Sequence, residues 1–203
     1  MITPAFIFTI FMVTLGPIKT VPAFFAMTQG QAPAAARALA FKGTTVATAV
    51  SLVIALVMTG VAASWRISSD DLRLAGGILL FAAAREMVGQ VSRPDAPPAP
   101  GAPSKQLAIA PLAVPVIVTP WGAVGILFFA DLAYGDLQML AVVVGILVFV
   151  MALNLVGMLL ARQIIACVGT MTFQLLGWIF AVLQAGLAVD AIVTSLRNLA
   201  VFR

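Results

Sequence analysis

The sequence contains no histidine, a single cysteine and few charged residues. Only 9% of its 203 residues are Asp, Glu, Lys or Arg, whereas a soluble domain carries about 25%. The missing histidine removes the commonest metal ligand and the usual general base. Cys167 has no second cysteine with which to form an internal disulfide. We therefore expect no enzyme, no metal site and no cofactor, and the composition excludes a soluble fold.

Apolar residues dominate what is present. Hydrophobic residues make up 63% of the chain, and the mean hydropathy is +1.15. One membrane span takes roughly 20 apolar residues, so this length allows about six spans and little else. The net charge of +4 is scattered, which argues against a nucleic-acid partner. The composition predicts an all-α integral membrane protein whose main partner is the lipid bilayer.

Six apolar segments predict six transmembrane helices. They cover approximately residues 3–27, 38–63, 71–90, 107–130, 137–160 and 171–194. The first has no charged region ahead of it, so we expect a retained span rather than a cleaved signal. Between the third and fourth lies "VSRPDAPPAPGAPSK" (91–105), whose proline and alanine content predicts an extended linker.

The two halves of the chain repeat each other. "PIKTVP" (17–22) and "PVIVTP" (115–120) share a Pro-x4-Pro spacing, and "LRLAGGILLF" (72–81) and "FQLLGWIFAV" (173–182) share Leu-x-Gly-x-Ile. The two motifs occur in the same order in both halves, and the second copy follows the first by 98 residues in one case and 101 in the other. Because three spans is an odd number, the second copy enters the membrane from the opposite face, which is an inverted-topology repeat.

The repeat defines the predicted organisation of one integrated membrane domain. Residues 1–90 form the first three-helix repeat, residues 91–106 the linker and residues 107–203 the second three-helix repeat. Orientation follows from the positive charges near the span ends. One side collects Arg37, Lys42, Arg85, Arg93, Lys105 and Arg162, and the other collects Arg66, Arg73, Arg197 and Arg203. The first side is assigned to the cytoplasm, so both termini are expected outside.

Prolines interrupt the first and fourth segments at corresponding places. A proline inside a helix removes a hydrogen bond, and irregular backbone survives in a membrane only against protein or a wet cavity. Matched interruptions in two inverted halves indicate a transport site, although a single proline often only kinks a helix. A half-helix N-terminus presents free N–H groups suited to a carboxylate. We therefore predict Pro-broken helices 1 and 4 with a substrate site between them.

Lys19, between two of these prolines, has two interpretations. A cation at membrane depth is costly and usually functional, so it could bind an anionic group or pair with Asp190. It could equally extend toward the headgroups, and Asp190 is expected to be solvated at the interface. Gln184 is expected to line a polar path, because a buried amide needs partners. The residues predicted to bind substrate are Gly16, Pro17, Lys19, Thr20, Pro22, Pro115, Thr119, Pro120, Trp121 and Gln184.

At these residues the chain resembles the MarC family of six-span membrane proteins, also grouped as neutral amino acid transporters. The resemblance covers essentially the whole chain. It rests on "GPIKTVPAFFAMT", "LRLAGGILLFAAAREM", "APLAVPVIVTPWGAVGIL" and "LLGWIFAVLQAGLAVDAI". It implies a multi-pass protein of the bacterial or archaeal inner membrane that exports small neutral amino acids.

The chain departs from the family pattern at the breaks. The family usually reads Asp/Asn-Pro-x-Gly-Asn-x-Pro in the first span, whereas Gly16, Lys19 and Thr20 replace its polar and glycine positions here. In the fourth span Trp121 replaces a glycine, which would narrow a cavity. Lys19 would favour an anion, so the substrate class extends to a small anionic metabolite.

The leading hypothesis is a secondary transporter, in the exporting direction, with one repeat moving against the other. The alternative is a non-transporting membrane scaffold or accessory protein, which the changed residues at the break favour and the retained prolines oppose. A channel is disfavoured because no ring of pore charges is evident. Small-residue faces on the second and sixth segments could pack within one protomer or between protomers, so a homo-oligomer stays open.

Overall fold

A computed structural model describes residues 3–91 and 108–199, which form helices joined by short turns. Apart from Val91, the predicted linker (residues 91–106) lies outside the described residues. In chain order the elements are α1 (Pro4–Leu15), α2 (Pro17–Met27), α3 (Pro33–Val53), π1 (Ile54–Met58), α4 (Thr59–Ser64), α5 (Ser69–Val91), π2 (Ala108–Ile117), α6 (Pro120–Leu132), α7 (Leu137–Leu159), α8 (Ala161–Val168) and α9 (Thr170–Asn198). No strand occurs in this part of the chain.

Every predicted apolar segment coincides with one to three consecutive helical elements. Within the described residues, four stretches are long and apolar enough to cross a membrane: Pro4–Met27, Pro33–Val57, Leu137–Leu159 and Leu175–Asn198. The α6 helix is apolar but shorter. The all-α membrane class is therefore confirmed, while six spans arranged as a repeat stay a prediction. The short helix α8 was missed by the sequence analysis.

Threonine and proline together set where two of these helices begin. Thr3 precedes α1 in an extended conformation, and its side chain accepts a hydrogen bond from the N–H of Phe6 at 3.3 Å. Proline follows at the first helical position, where its missing N–H costs nothing. Thr119 and Pro120 start α6 in the same manner. The same Thr-Pro pair thus begins the first helix of one interrupted segment and the second helix of the other.

The π2 segment shows what prolines do to a membrane helix. It contains Pro111 and Pro115, which have no N–H to give to the carbonyl four residues earlier. The N–H of Val118 bonds to the carbonyl of Ala113, five residues back, at 2.9 Å. The wider π turn thus continues hydrogen bonding across a stretch that a regular α-helix could not occupy. Such turns are frequent at functional sites.

The helices pack in two groups. The most extensive helix pair among the described residues is α5 with α9. It depends on Gly77, where a Cβ would lie 2.9 Å from the carbonyl oxygen of Ala188 and 2.7 Å from Ile192. The second group is centred on α1, π2, α6 and α7, with α2 and α3 packed against it. The pair joins this group mainly where α5 contacts α6.

Candidate functional site

The first break separates α1 from α2 at a single residue. Gly16 adopts an extended conformation with φ −73° and ψ 172°, and its N–H bonds to the carbonyl of Met12 at 3.1 Å. A Cβ at this position would overlap that same carbonyl oxygen. Glycine is therefore required here by close approach, and Pro17 then starts the new helix. The predicted break in the first segment falls at this junction.

The second break lies between π2 and α6. Thr119 is extended with φ −84° and ψ 155°, and its Oγ1 accepts a hydrogen bond from the N–H of Gly122 at 3.2 Å. Gly122 lies directly against the side chain of Leu15, the last residue of α1, and a Cβ there would overlap it. The start of α6 therefore packs against the end of α1, and the two breaks are neighbours.

Lys19 connects the two breaks. Its Nζ donates hydrogen bonds to the carbonyl of Thr14 and, at 3.3 Å, to Oγ1 of Thr119. The hydroxyl of Thr119 also donates to the carbonyl of Thr14, at 3.2 Å. The ammonium lies 5.3 Å from the ring centroid of Trp121, within the range of a cation–π interaction. A positive charge at the C-terminus of α1 is favourable, because the helix dipole is negative there.

Asn154 satisfies the next free carbonyl at the end of α1. It is fully buried in α7, and its Nδ2 donates to the carbonyl of Leu15 at 2.7 Å and to the carbonyl of Val150 at 3.1 Å. Its Oδ1 has no hydrogen-bond partner. Together, Lys19, Thr119 and Asn154 provide the donors that a broken helix needs in a medium without water.

A cavity of about 270 Å³ begins beside this junction. It lies between the α5–α9 pair and the helices α1 and α6, and we call it the junction cavity. Thr14 and Trp121 line it next to the breaks, and most of the remaining wall is apolar. Two opposite charges also line it, Arg73 from α5 and Asp190 from α9. The guanidinium of Arg73 lies 5.1 Å from the ring centroid of Phe128, which holds it against the wall.

The predicted site residues fall into three places. The junction itself contains Gly16, Pro17, Lys19, Thr20, Thr119 and Pro120, with Thr20 donating to the carbonyl of Gly16 at 3.3 Å. Trp121 lines the junction cavity. Pro22 lies inside α2 and Pro115 inside π2. Their predicted roles in substrate binding stay predictions.

Gln184 lies elsewhere. It is buried in α9, and its Nε2 approaches the carbonyl of Leu80 on α5 at 3.5 Å. It thus belongs to the interface of the α5–α9 pair and does not line the junction cavity. Lys19 also does not line that cavity, and it makes no ion pair with Asp190 in the described part of the chain. Its ammonium is bound by the protein's own oxygens.

Sequence reasoning missed Arg73 and Asp190 as cavity residues. The sequence analysis uses Arg73 only as a charge that orients the chain. It expects Asp190 to be solvated, and Asp190 is indeed exposed while it also lines the cavity. Both are ionisable residues within apolar segments, a pattern that is often functional in membrane proteins. That signal could have identified them. Their meeting in one cavity could not be anticipated, because it depends on the packing of α5 against α9.

The comparison with protein families gives one match. The sequence model described as "MarC family integral membrane protein" matches residues 3–200. Searches of curated proteins and of solved structures found no match. The match includes both breaks and every residue that lines the junction cavity.

Proposed function

We propose that this chain, which belongs to the MarC family of integral membrane proteins, is a secondary transporter that exports small neutral amino acids or a closely related small metabolite. One observation carries the proposal: a cavity beside the two helix breaks, lined by Thr14 and Trp121, also contains two opposite charges. Interrupted helices beside a cavity are the arrangement in which many transporters bind substrate. The volume of about 270 Å³ is at the small end of ligand pockets, which suits a small metabolite.

The lining of the junction cavity suits a zwitterion with an apolar side chain. A guanidinium can bind a carboxylate through two parallel hydrogen bonds. Arg73 supplies a guanidinium to the cavity wall. Asp190 supplies a carboxylate for an ammonium group. The apolar wall between them would accept a small aliphatic side chain. A purely anionic metabolite would use Arg73 but would be repelled by Asp190, so we favour the neutral amino acid.

Transport would use six spans as two inverted three-helix repeats. The interrupted segment α1–α2 would correspond to π2–α6, α3 to α7 and α5 to α9. In this arrangement the third helix of the first repeat, α5, packs against the third helix of the second repeat, α9. We propose that the α5–α9 pair moves against the α1–α6 group, which revises the idea of one sequence half moving against the other. The contact of α5 with α6 is less extensive than that of α5 with α9, which supports movement of the α5–α9 pair as one unit.

The rim of the cavity would face the outside of the cell. Arg73 and Asp190 lie toward the end of the bundle where Ser69 bonds to Asp131 at 2.6 Å and Asn198 bonds to Asp70 at 2.9 Å. In the orientation proposed from the positive charges, both termini and this end are outside the inner membrane. The cavity in this structure would then correspond to a state that releases an exported substrate.

One observation favours a second function, that of a non-transporting scaffold. The carbonyls of Thr14 and Leu15 are satisfied by Lys19, Thr119 and Asn154, so the break offers a substrate few free groups. A scaffold would need the breaks for shape alone. The paired charges in the junction cavity have no explanation in that case, and for this reason we place transport first.

Counterflow in proteoliposomes tests the proposal. Vesicles containing the purified protein would be loaded with a mixed pool of neutral amino acids and small carboxylates, and labelled candidates would be followed inward. We expect accumulation of a small neutral amino acid, and protein-free vesicles serve as the control. If correctly folded protein exchanges none of the candidates, the transport proposal for these substrates fails and the scaffold function takes its place.

A further inference from the structure

A second cavity, of about 180 Å³, lies at the opposite end of the bundle from the charged rim of the junction cavity. The helix α7 connects the two ends, since it starts beside Asp136 and finishes at this cavity with Leu159. The ends of α2 and α7 and the beginnings of α3 and α8 surround it. Its lining includes Thr28, Pro33, Arg37, Met158, Arg162 and Gln163. We call it the arginine cavity.

Among the described residues, the charges that line the arginine cavity have one sign. Arg37 and Arg162 line it from α3 and α8, and no acidic residue of the described part of the chain does so. Arg162 is held in place because its Nη2 donates to the carbonyl of Gln31 at 2.7 Å. Four of the five N–H groups of that guanidinium remain for other acceptors. Arg37 is exposed and forms no hydrogen bond or ion pair within the described residues. Two arginines thus line this cavity, and no acid from the described ranges 3–91 and 108–199 lines it beside them.

The short helix α8 places this cavity at the edge of the bilayer. Ala161 and Ile165 are buried on one face, whereas Arg162 and Gln163 are exposed on the other. A helix with one apolar and one polar face lies in the headgroup layer of a membrane. The N–H groups at its start have no side-chain cap, which adds a weak positive field toward the cavity. The cavity therefore opens where phosphate groups are concentrated.

We propose that the arginine cavity binds a phosphate-bearing anion, with Arg37 and Arg162 as its ligands. Guanidinium groups recognise phosphate oxygens through two parallel hydrogen bonds, and basic pockets between membrane helices bind anionic headgroups. The phosphate can come from an anionic phospholipid or from a soluble phosphate. The site is separate from the junction cavity, so it does not depend on the transported substrate. Binding joins the ends of four helices and stabilises that end of the bundle.

The test measures thermal unfolding and lipid binding of the full chain in detergent. Three probes are added separately: dioleoyl phosphatidylglycerol, dioleoyl phosphatidylcholine and inorganic phosphate. We expect phosphatidylglycerol to raise the unfolding temperature more than phosphatidylcholine does. Substituting each arginine should weaken that binding roughly fivefold, because a positive charge near a membrane surface contributes about that much. The variants are Arg37→Gln, Arg162→Gln and the double substitution, with Arg66→Gln and Arg197→Gln as controls at the other end.

Each outcome decides the proposal. Protection by phosphatidylglycerol that is lost in the double variant identifies a lipid headgroup. Protection by inorganic phosphate that is lost in the same variant identifies a soluble phosphate instead, with the same ligands. If the double variant binds all three probes as the wild type does, the proposal is wrong. Arg162→Gln also removes the hydrogen bond to the carbonyl of Gln31. If that variant fails to fold, the loss or retention of phosphate-dependent protection in Arg37→Gln tests the proposal instead.

Discussion

The side-chain amide of Asn154 donates a hydrogen bond of 2.7 Å to the backbone carbonyl of Leu15, 139 residues earlier in the chain. The bond joins the C-terminal part of α7 to the last residue of the first half-helix. Leu15 is fully buried, so water does not replace the donor if it is lost. The break at Gly16 therefore depends on a residue from the other half of the sequence.

Replacing Asn154 with alanine should destabilise the protein by about 1–2 kcal/mol, because a buried carbonyl loses its donor inside a membrane helix bundle. Unfolding by a denaturing detergent, followed by circular dichroism, measures the change. Asn198→Ala is the matched control, since Asn198 is exposed and bonds only to Asp70. Equal stability of Asn154→Ala and wild type would contradict the role given to this amide.

Replacing Lys19 with methionine should cost about 1–2 kcal/mol of stability, because the variant loses a helix C-terminal charge and a cation–π contact. Counterflow per folded molecule should fall less than in Arg73→Gln, since Lys19 does not line the junction cavity. Lys42→Met, an exposed lysine on α3, is the control. Complete loss of transport at unchanged stability would show that Lys19 binds the substrate after all.

Replacing Arg73 with glutamine should raise the half-saturating concentration of a neutral amino acid roughly tenfold or more. The reason is that a charge-assisted hydrogen bond contributes about 1.5–3 kcal/mol. Asp190→Asn should have a similar effect through the ammonium group. Saturation of counterflow by labelled substrate measures both. Arg85→Gln, which removes an exposed charge from the same helix, serves for comparison. Unaltered half-saturation in both cavity variants would remove these two charges from the substrate site.

Replacing Gly77 with alanine should destabilise the α5–α9 pair by about 1–3 kcal/mol, because the new methyl group lies 2.9 Å from the carbonyl oxygen of Ala188. Gly177→Ala is the matched control, since a Cβ there meets nothing within 4 Å. That control should be neutral or slightly stabilising, because alanine favours a helix over glycine. Thermal unfolding of both variants measures the difference. A larger loss in Gly177→Ala would show that the close approach is assigned to the wrong glycine.

The sequence predicted the helices well because hydropathy and proline position are local properties. The break at Gly16 and the break at Thr119 both lie where paired prolines indicated them. The position of each break is set by residues within one turn, so a sequence pattern is sufficient to locate it, although distant residues such as Asn154 then stabilise it. The helix α8 was missed because its 8 residues are too few for a hydropathy window and continue directly from α7.

The contents of the site were harder to predict because they depend on contacts between distant segments. Lys19 was recognised as unusual, but its acceptors are the carbonyl of Thr14 and the hydroxyl of Thr119, which is 100 residues away. Gln184 was expected to line a polar path because it is a buried amide. It is buried as expected, but against Leu80 in a helix interface. The burial of such a side chain can be predicted from the apolar sequence around it. Its hydrogen-bond partner cannot, because that depends on how the helices pack.

The pairing of α5 with α9 has a consequence for how the protein is made. The α5 helix carries Asp70, Asp71, Arg73 and Arg85 and is poorly suited to lipid by itself. Synthesis of its principal partner, α9, begins only at Thr170, long after α5 ends at Val91. We expect α5 to wait in or beside the translocon until α9 arrives, so that both enter the bilayer together. A chain stopped before residue 170 should therefore leave α5 accessible to a water-soluble reagent.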